Sequence, residues 1–102
     1  MRRVGNNSIE FDDVYLISKA VVTGPKEQVG PIGNHFDYSY DDIHCDGNTW
    51  EQAEMNLLKK AYSIALSKAG LVEENIDVLI GGDLNNQIAV TSYAMRESFI
   101  PY

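Results

Sequence analysis

Apolar and polar positions divide the chain near Thr49 into an irregular first half and a regular second half. In the second half Trp50, Ala53, Leu57, Ala61 and Ile64 recur at steps of three and four, which puts them on one stripe of a helix. Thr49-Trp50-Glu51-Gln52 reads as a capping box at its start, and the helix is expected to run to about Ala69. Glu51 and Glu54 lie near its positive end and Lys68 near its negative end, as the helix dipole favours. Gly70 followed by Leu71 predicts a Schellman stop. Residues 77–83, Asp-Val-Leu-Ile-Gly-Gly-Asp, read as a buried strand ending in a tight turn. A second helix is expected over residues 87–98 with Asn85 or Asn86 as its cap. Ile100-Pro101-Tyr102 then reads as the lead-in to another element.

The first half offers one strand candidate, residues 14–22, whose apolar runs suit a strand covered on both faces. After it, the Gly and Pro spacing of residues 24–33 predicts no regular element. Residues 36–47 alternate aromatics with acids and end at Gly47, which predicts an ordered loop. A loop of this extent in a compact domain is often functional. Strand, long loop, helix, strand, helix is the order of an α/β fold with a mainly parallel sheet. Two strands do not make a stable sheet of that kind, so the expectation is the first part of something larger.

Lys+Arg 8 against Asp+Glu 15 gives a formal net charge of −7 over 102 residues. Nucleic acid is a poor partner for such a chain, because phosphate neutralisation needs clustered cations. The basic doublets Arg2-Arg3 and Lys59-Lys60 read as a solvated terminus and a solvated helix face. No apolar run is long enough to cross a bilayer, and no signal peptide can be drawn after Met1-Arg2-Arg3. A lone Cys45 forms no internal disulfide, which points to a reducing compartment.

Several motifs fall short of chemistry. Residues 42–53 begin like a calcium loop, but His44 stands at its third position and Ala53 at the twelfth, where a bidentate Glu is required. His35, His44 and Cys45 lack the spacing of a zinc set. Cys45 has no identified base, and its neighbour His44 is no substitute for one met in space. Phe36, Tyr38 and Tyr40 are read as packing of the loop onto the domain, with a stacking platform as the other option. The strongest physical candidate is residues 81–87, Gly-Gly-Asp-Leu-Asn-Asn-Gln. It follows a predicted strand and opens a predicted helix, where ligands bind in open α/β sheets and free N–H groups suit an anion. Spacing alone leaves two readings open there, a ligand site and a plain helix cap.

Three segments together carry a resemblance. They are Gly24-Pro25-Lys26-Glu27 with Gly30-Pro31-Ile32-Gly33, then Phe36-Asp37 with Tyr40-Asp41-Asp42-Ile43-His44-Cys45, then Gly82-Asp83-Leu84-Asn85-Asn86-Gln87. In that order and spacing the chain resembles the stage V sporulation protein AD family of spore-forming bacteria, over essentially its whole length. The stretch from Gly70-Leu71 through Ile76-Asp77-Val78 is also similar to the N-terminal half of thiolases and ketoacyl synthases, whose fold that family shares.

The resemblance implies a thiolase-like fold of two α/β halves, of which residues 1–102 form a single partial domain with an incomplete sheet. It implies a non-enzymatic protein, with no cofactor and no catalytic residue, that binds dipicolinic acid, a small dianion stored in spores with calcium. Its partners would be the other subunits of the spore dipicolinate channel. Its place would be the spore interior, peripheral to the inner membrane. Carried over by position, the ligand-binding residues are Asp83, Leu84, Asn86 and Gln87. The family's cysteine-containing loop, which sits where thiolases keep their nucleophile, is expected beyond Tyr102. A net charge of −7 opposes a dianion at long range, and Asp83 opposes it at contact. Either helix N–H groups hold the carboxylates or calcium bridges Asp83 to the ligand. Two other functions stay open: a fragment of a thiolase-type acyl-transfer enzyme, and a structural docking subunit without ligand. Exposed sheet edges and helix faces predict self-association of a chain this short.

Overall fold

A computed structural model describes residues 1–82 together with Ala94. Strands β1 (Arg2–Val4) and β2 (Ser8–Glu10) come first, then β3 (Val22–Thr23), helix α1 (Pro25–Gln28), a 3-10 turn (Gly33–His35), β4 (Tyr38–Ser39), helix α2 (Trp50–Ala69) and a second 3-10 turn (Glu73–Asn75). The described residues are therefore mixed α/β, built on one long helix and two small two-stranded sheets.

α2 follows its sequence signals closely. The Thr49 hydroxyl accepts the Gln52 N–H at 3.2 Å, and the Gln52 side chain reaches one residue further back than a capping box, to the Asn48 N–H at 2.7 Å. At the other end Gly70 adopts a left-handed φ of 69°, and Leu71 N–H bonds to the Leu66 carbonyl at 3.0 Å, closing a Schellman motif. The expected apolar stripe is only thinly covered. Ala53 is buried, Leu57, Ala61 and Ile64 are half-buried, and Trp50 is exposed, its ring lying against His44 with centroids 4.5 Å apart.

β3 and β4 pair in parallel, with Val22 opposite Tyr38 and Thr23 opposite Ser39. The ladder continues through Asp37 N–H to the Val21 carbonyl at 2.8 Å and Tyr40 N–H to the Thr23 carbonyl at 2.9 Å. Parallel strands need a crossover of a dozen or more residues, and the Gly- and Pro-rich stretch supplies it. It does contain regular turns, contrary to expectation: Pro25 starts α1 at the position where its missing N–H costs nothing. Gly33 is required there, since a Cβ would stand on the Gln28 carbonyl oxygen. The ordered loop expected over residues 36–47 likewise contributes β4.

Two predicted strands need correction. Of residues 14–22 only the last two join a ladder, Val22 as a paired residue and Val21 through its carbonyl, and Val14, Tyr15, Leu16 and Ile17 are exposed. The described part of the 77–83 strand makes no ladder either, with Ile80 91% exposed. Both runs have strand composition, but a strand exists only against a neighbour, and no described element lies beside them to pair. The N-terminal hairpin β1–β2, turning at Gly5 with φ 68°, was not foreseen. The predicted helix over 87–98, its cap at Asn85 or Asn86, and the lead-in at Ile100 lie outside the described residues, save that Ala94 is helical and buried.

The core is small: Tyr40, Cys45 and Ala53, with Val22 and Leu57 packed against them. Polar anchors along α2 complete it. Asn56 Nδ2 donates to the Cys45 carbonyl at 2.8 Å, the Tyr40 hydroxyl donates to the Asn56 carbonyl at 3.3 Å, and the Ser18 hydroxyl donates to the Ala65 carbonyl at 2.7 Å. Lys68 Nζ meets Asp37 Oδ1 at 2.9 Å, while Asp37 Oδ2 accepts the Val21 N–H at 2.6 Å. These contacts fasten the irregular half to the helix from its middle to its end.

Replacing Asn56→Ala leaves the Cys45 carbonyl without its partner in the core, and this is expected to cost about 1–3 kcal/mol in denaturant unfolding. An unchanged midpoint would show that the loop does not depend on the amide. The Lys68 hydrogen bond, then the Val21 N–H, hold the Asp37 carboxyl below its ordinary range. A depressed carboxyl pKa stabilises the folded state above the unfolded value of about 4 and ceases to do so as pH falls through the folded value. Asp37→Asn is therefore expected to lower the melting temperature at pH 7 and to flatten its decline toward pH 3. Melting curves that stay parallel to wild type across that range would refute the clasp.

Candidate functional site

The return that follows α2, residues 71–82, leads the chain toward the predicted ligand loop. Gly81 and Gly82 are exposed. Asp83, Leu84, Asn86 and Gln87, the predicted ligand contacts, lie outside the described residues.

Among the described residues the most tightly built segment is the loop that carries Asp42, His44, Cys45 and Asp46. Asp42 works internally: both carboxylate oxygens accept the Asp46 N–H, at 3.0 and 3.3 Å, and its carbonyl accepts the Cys45 N–H at 3.2 Å. That staple holds Cys45 and Asp46 in left-handed backbone, φ 49° and 66°, a conformation uncommon outside glycine. Gly47 N–H then bonds to the His44 carbonyl at 2.8 Å, and Asn56 fixes the Cys45 carbonyl from the helix side. Cys45 ends 2% exposed. Burial pushes its thiol pKa up, and the carboxylates of Asp42 and Asp46 push it further. Reactive thiolates need the opposite environment, and the His44 ring is engaged on Trp50. Cys45 is a core side chain, and its loop does not assemble the residues of a thiol nucleophile.

Of the three loop aromatics Tyr40 packs into the core, Phe36 is half-buried and Tyr38 stays exposed. Tyr38 meets Tyr40 edge-on at 5.0 Å, and the Lys60 ammonium sits 4.3 Å above the Tyr38 ring. Desolvation raises the Tyr40 phenol, with the neighbouring acidic groups adding to it. No group of three or more His, Cys, Asp or Glu among the described residues is placed to hold a metal ion.

A groove of about 330 Å³ lies between residues 15–18, the C-terminal half of α2 and residues 71–79. Leu16, Ile17, Leu66, Leu71 and Leu79 make it strongly apolar, and the Tyr62 hydroxyl is buried in it with no hydrogen-bond partner among the described residues. Burial raises the Tyr62 phenol pKa as well. Asp37, Asn56 and Tyr62 escaped the sequence reading. Asn56 had a signal, a polar residue three after Ala53 on an otherwise apolar stripe. Asp37 had none, because its partners Val21 and Lys68 are far away in sequence.

Comparison with known proteins now bears on the order of these segments. Residues 5–102 match the family model for stage V sporulation protein AD. The chain is 38% identical over 103 aligned residues to the stage V sporulation protein AD of Bacillus subtilis (strain 168). That alignment takes in 100% of this chain and 30% of the relative, so the chain spans under a third of the length of the curated protein it matches. The match covers the Gly24-Pro25 crossover, the stapled loop around Cys45 and the Gly81-Gly82 approach alike, and the chain belongs to the stage V sporulation protein AD family of sporulation proteins.

Proposed function

We propose that the chain acts in sporulation as the N-terminal portion of a thiolase-like, non-enzymatic protein. On this reading it binds dipicolinic acid and takes part in its uptake into the developing spore. The family match over residues 5–102 carries the reading, since it runs through the Gly82-Asp83-Leu84-Asn85-Asn86-Gln87 segment. Asp83, Leu84, Asn86 and Gln87 form one wall of the pocket. Gly81 and Gly82, both exposed, lead into it. The partners are the other subunits of the dipicolinate channel. The working location is the spore interior beside the inner membrane, where the protein is peripheral. No helix among the described residues is long and apolar enough to cross a membrane.

Charge decides the form of the site. A chain of net charge −7 attracts no dianion on its own, and Asp83 stands where the ligand docks. Calcium bridging Asp83 to a ligand carboxylate reverses the sign of that contact. A docking subunit without ligand is the second reading, favoured by the exposed run Val14, Tyr15, Leu16 and Ile17. The acyl-transfer reading gains nothing from the buried, high-pKa thiol of Cys45.

Calorimetric titration of dipicolinate onto a family-length protein containing this segment tests the proposal. Saturable binding is expected, weakened about tenfold or more by Asp83→Ala, the scale of one charge-assisted contact. A calcium chelator is expected to weaken wild type and to leave the Asp83→Ala protein unchanged. Indifference of wild type to the chelator would eliminate the bridge. Absence of any saturable heat would eliminate ligand binding and favour the docking subunit, with acyl-CoA turnover then to be assayed.

A further inference from the structure

We draw no further inference here: the strongest candidate, the apolar groove between residues 15–18, the C-terminal half of α2 and residues 71–79 in which the Tyr62 hydroxyl is buried, carries none, because nothing in the structure shows what covers it.

Discussion

Helix α2 buries fully just one described side chain, Ala53, and everything before it has to be attached to that helix by other means. The attachment is polar and discontinuous. Asn56 holds the Cys45 loop and receives the Tyr40 hydroxyl, Ala65 receives Ser18, and Lys68 holds Asp37. A net hydrogen bond contributes about 0.5–1.5 kcal/mol, so no single anchor fixes the irregular half, but together they define its path. Their positions also decide what remains open. The anchors at Asn56 and Lys68 draw Cys45, Tyr40 and Asp37 onto the helix. The faces of Tyr62 and Leu66 are left lining a groove.

The same arrangement explains why an acidic, cysteine-bearing loop is structural. Asp42 directs both carboxylate oxygens at the Asp46 N–H, so its charge turns the backbone instead of facing a ligand. The turn drives Cys45 inward against Ala53 and Tyr40 and points its carbonyl at Asn56. His44 is carried to the other side, onto Trp50. A thiol raised by burial and two nearby carboxylates stays protonated at neutral pH and packs as a small apolar group.

What could be read from the sequence tracks how local each cause is. α2 was legible at both ends because Thr49, Gln52, Gly70 and Leu71 act within a turn of their own position. Even there, the reach of Gln52 to Asn48 instead of Thr49 is a choice of side-chain rotamer that spacing does not fix. The runs at 14–22 and 77–83 carried correct strand composition, but pairing is a property of two segments and the second was not in view. Asp37 gave no local sign, since it draws on Val21 and Lys68 at once. For the ligand loop, residue chemistry left a cap and a binding site undistinguished. The resemblance named Asp83, Leu84, Asn86 and Gln87, and the chemistry of a dianion beside Asp83 raised the question of calcium.

The open groove and the proposed ligand loop are not independent. Ile76 and Leu79 line the groove, and within a few residues the same return reaches Gly81 and Gly82. Whatever covers Leu79 restrains the backbone that leads to Asp83, and ordering it would lower the entropy that a ligand at the proposed site must remove. Reciprocity then requires that ligand bound after Gly82 tighten the hold on the groove by the same free energy. A ligand-binding role and a docking role are on this account two ends of one short stretch of backbone. The apolar lining of the groove is what joins them.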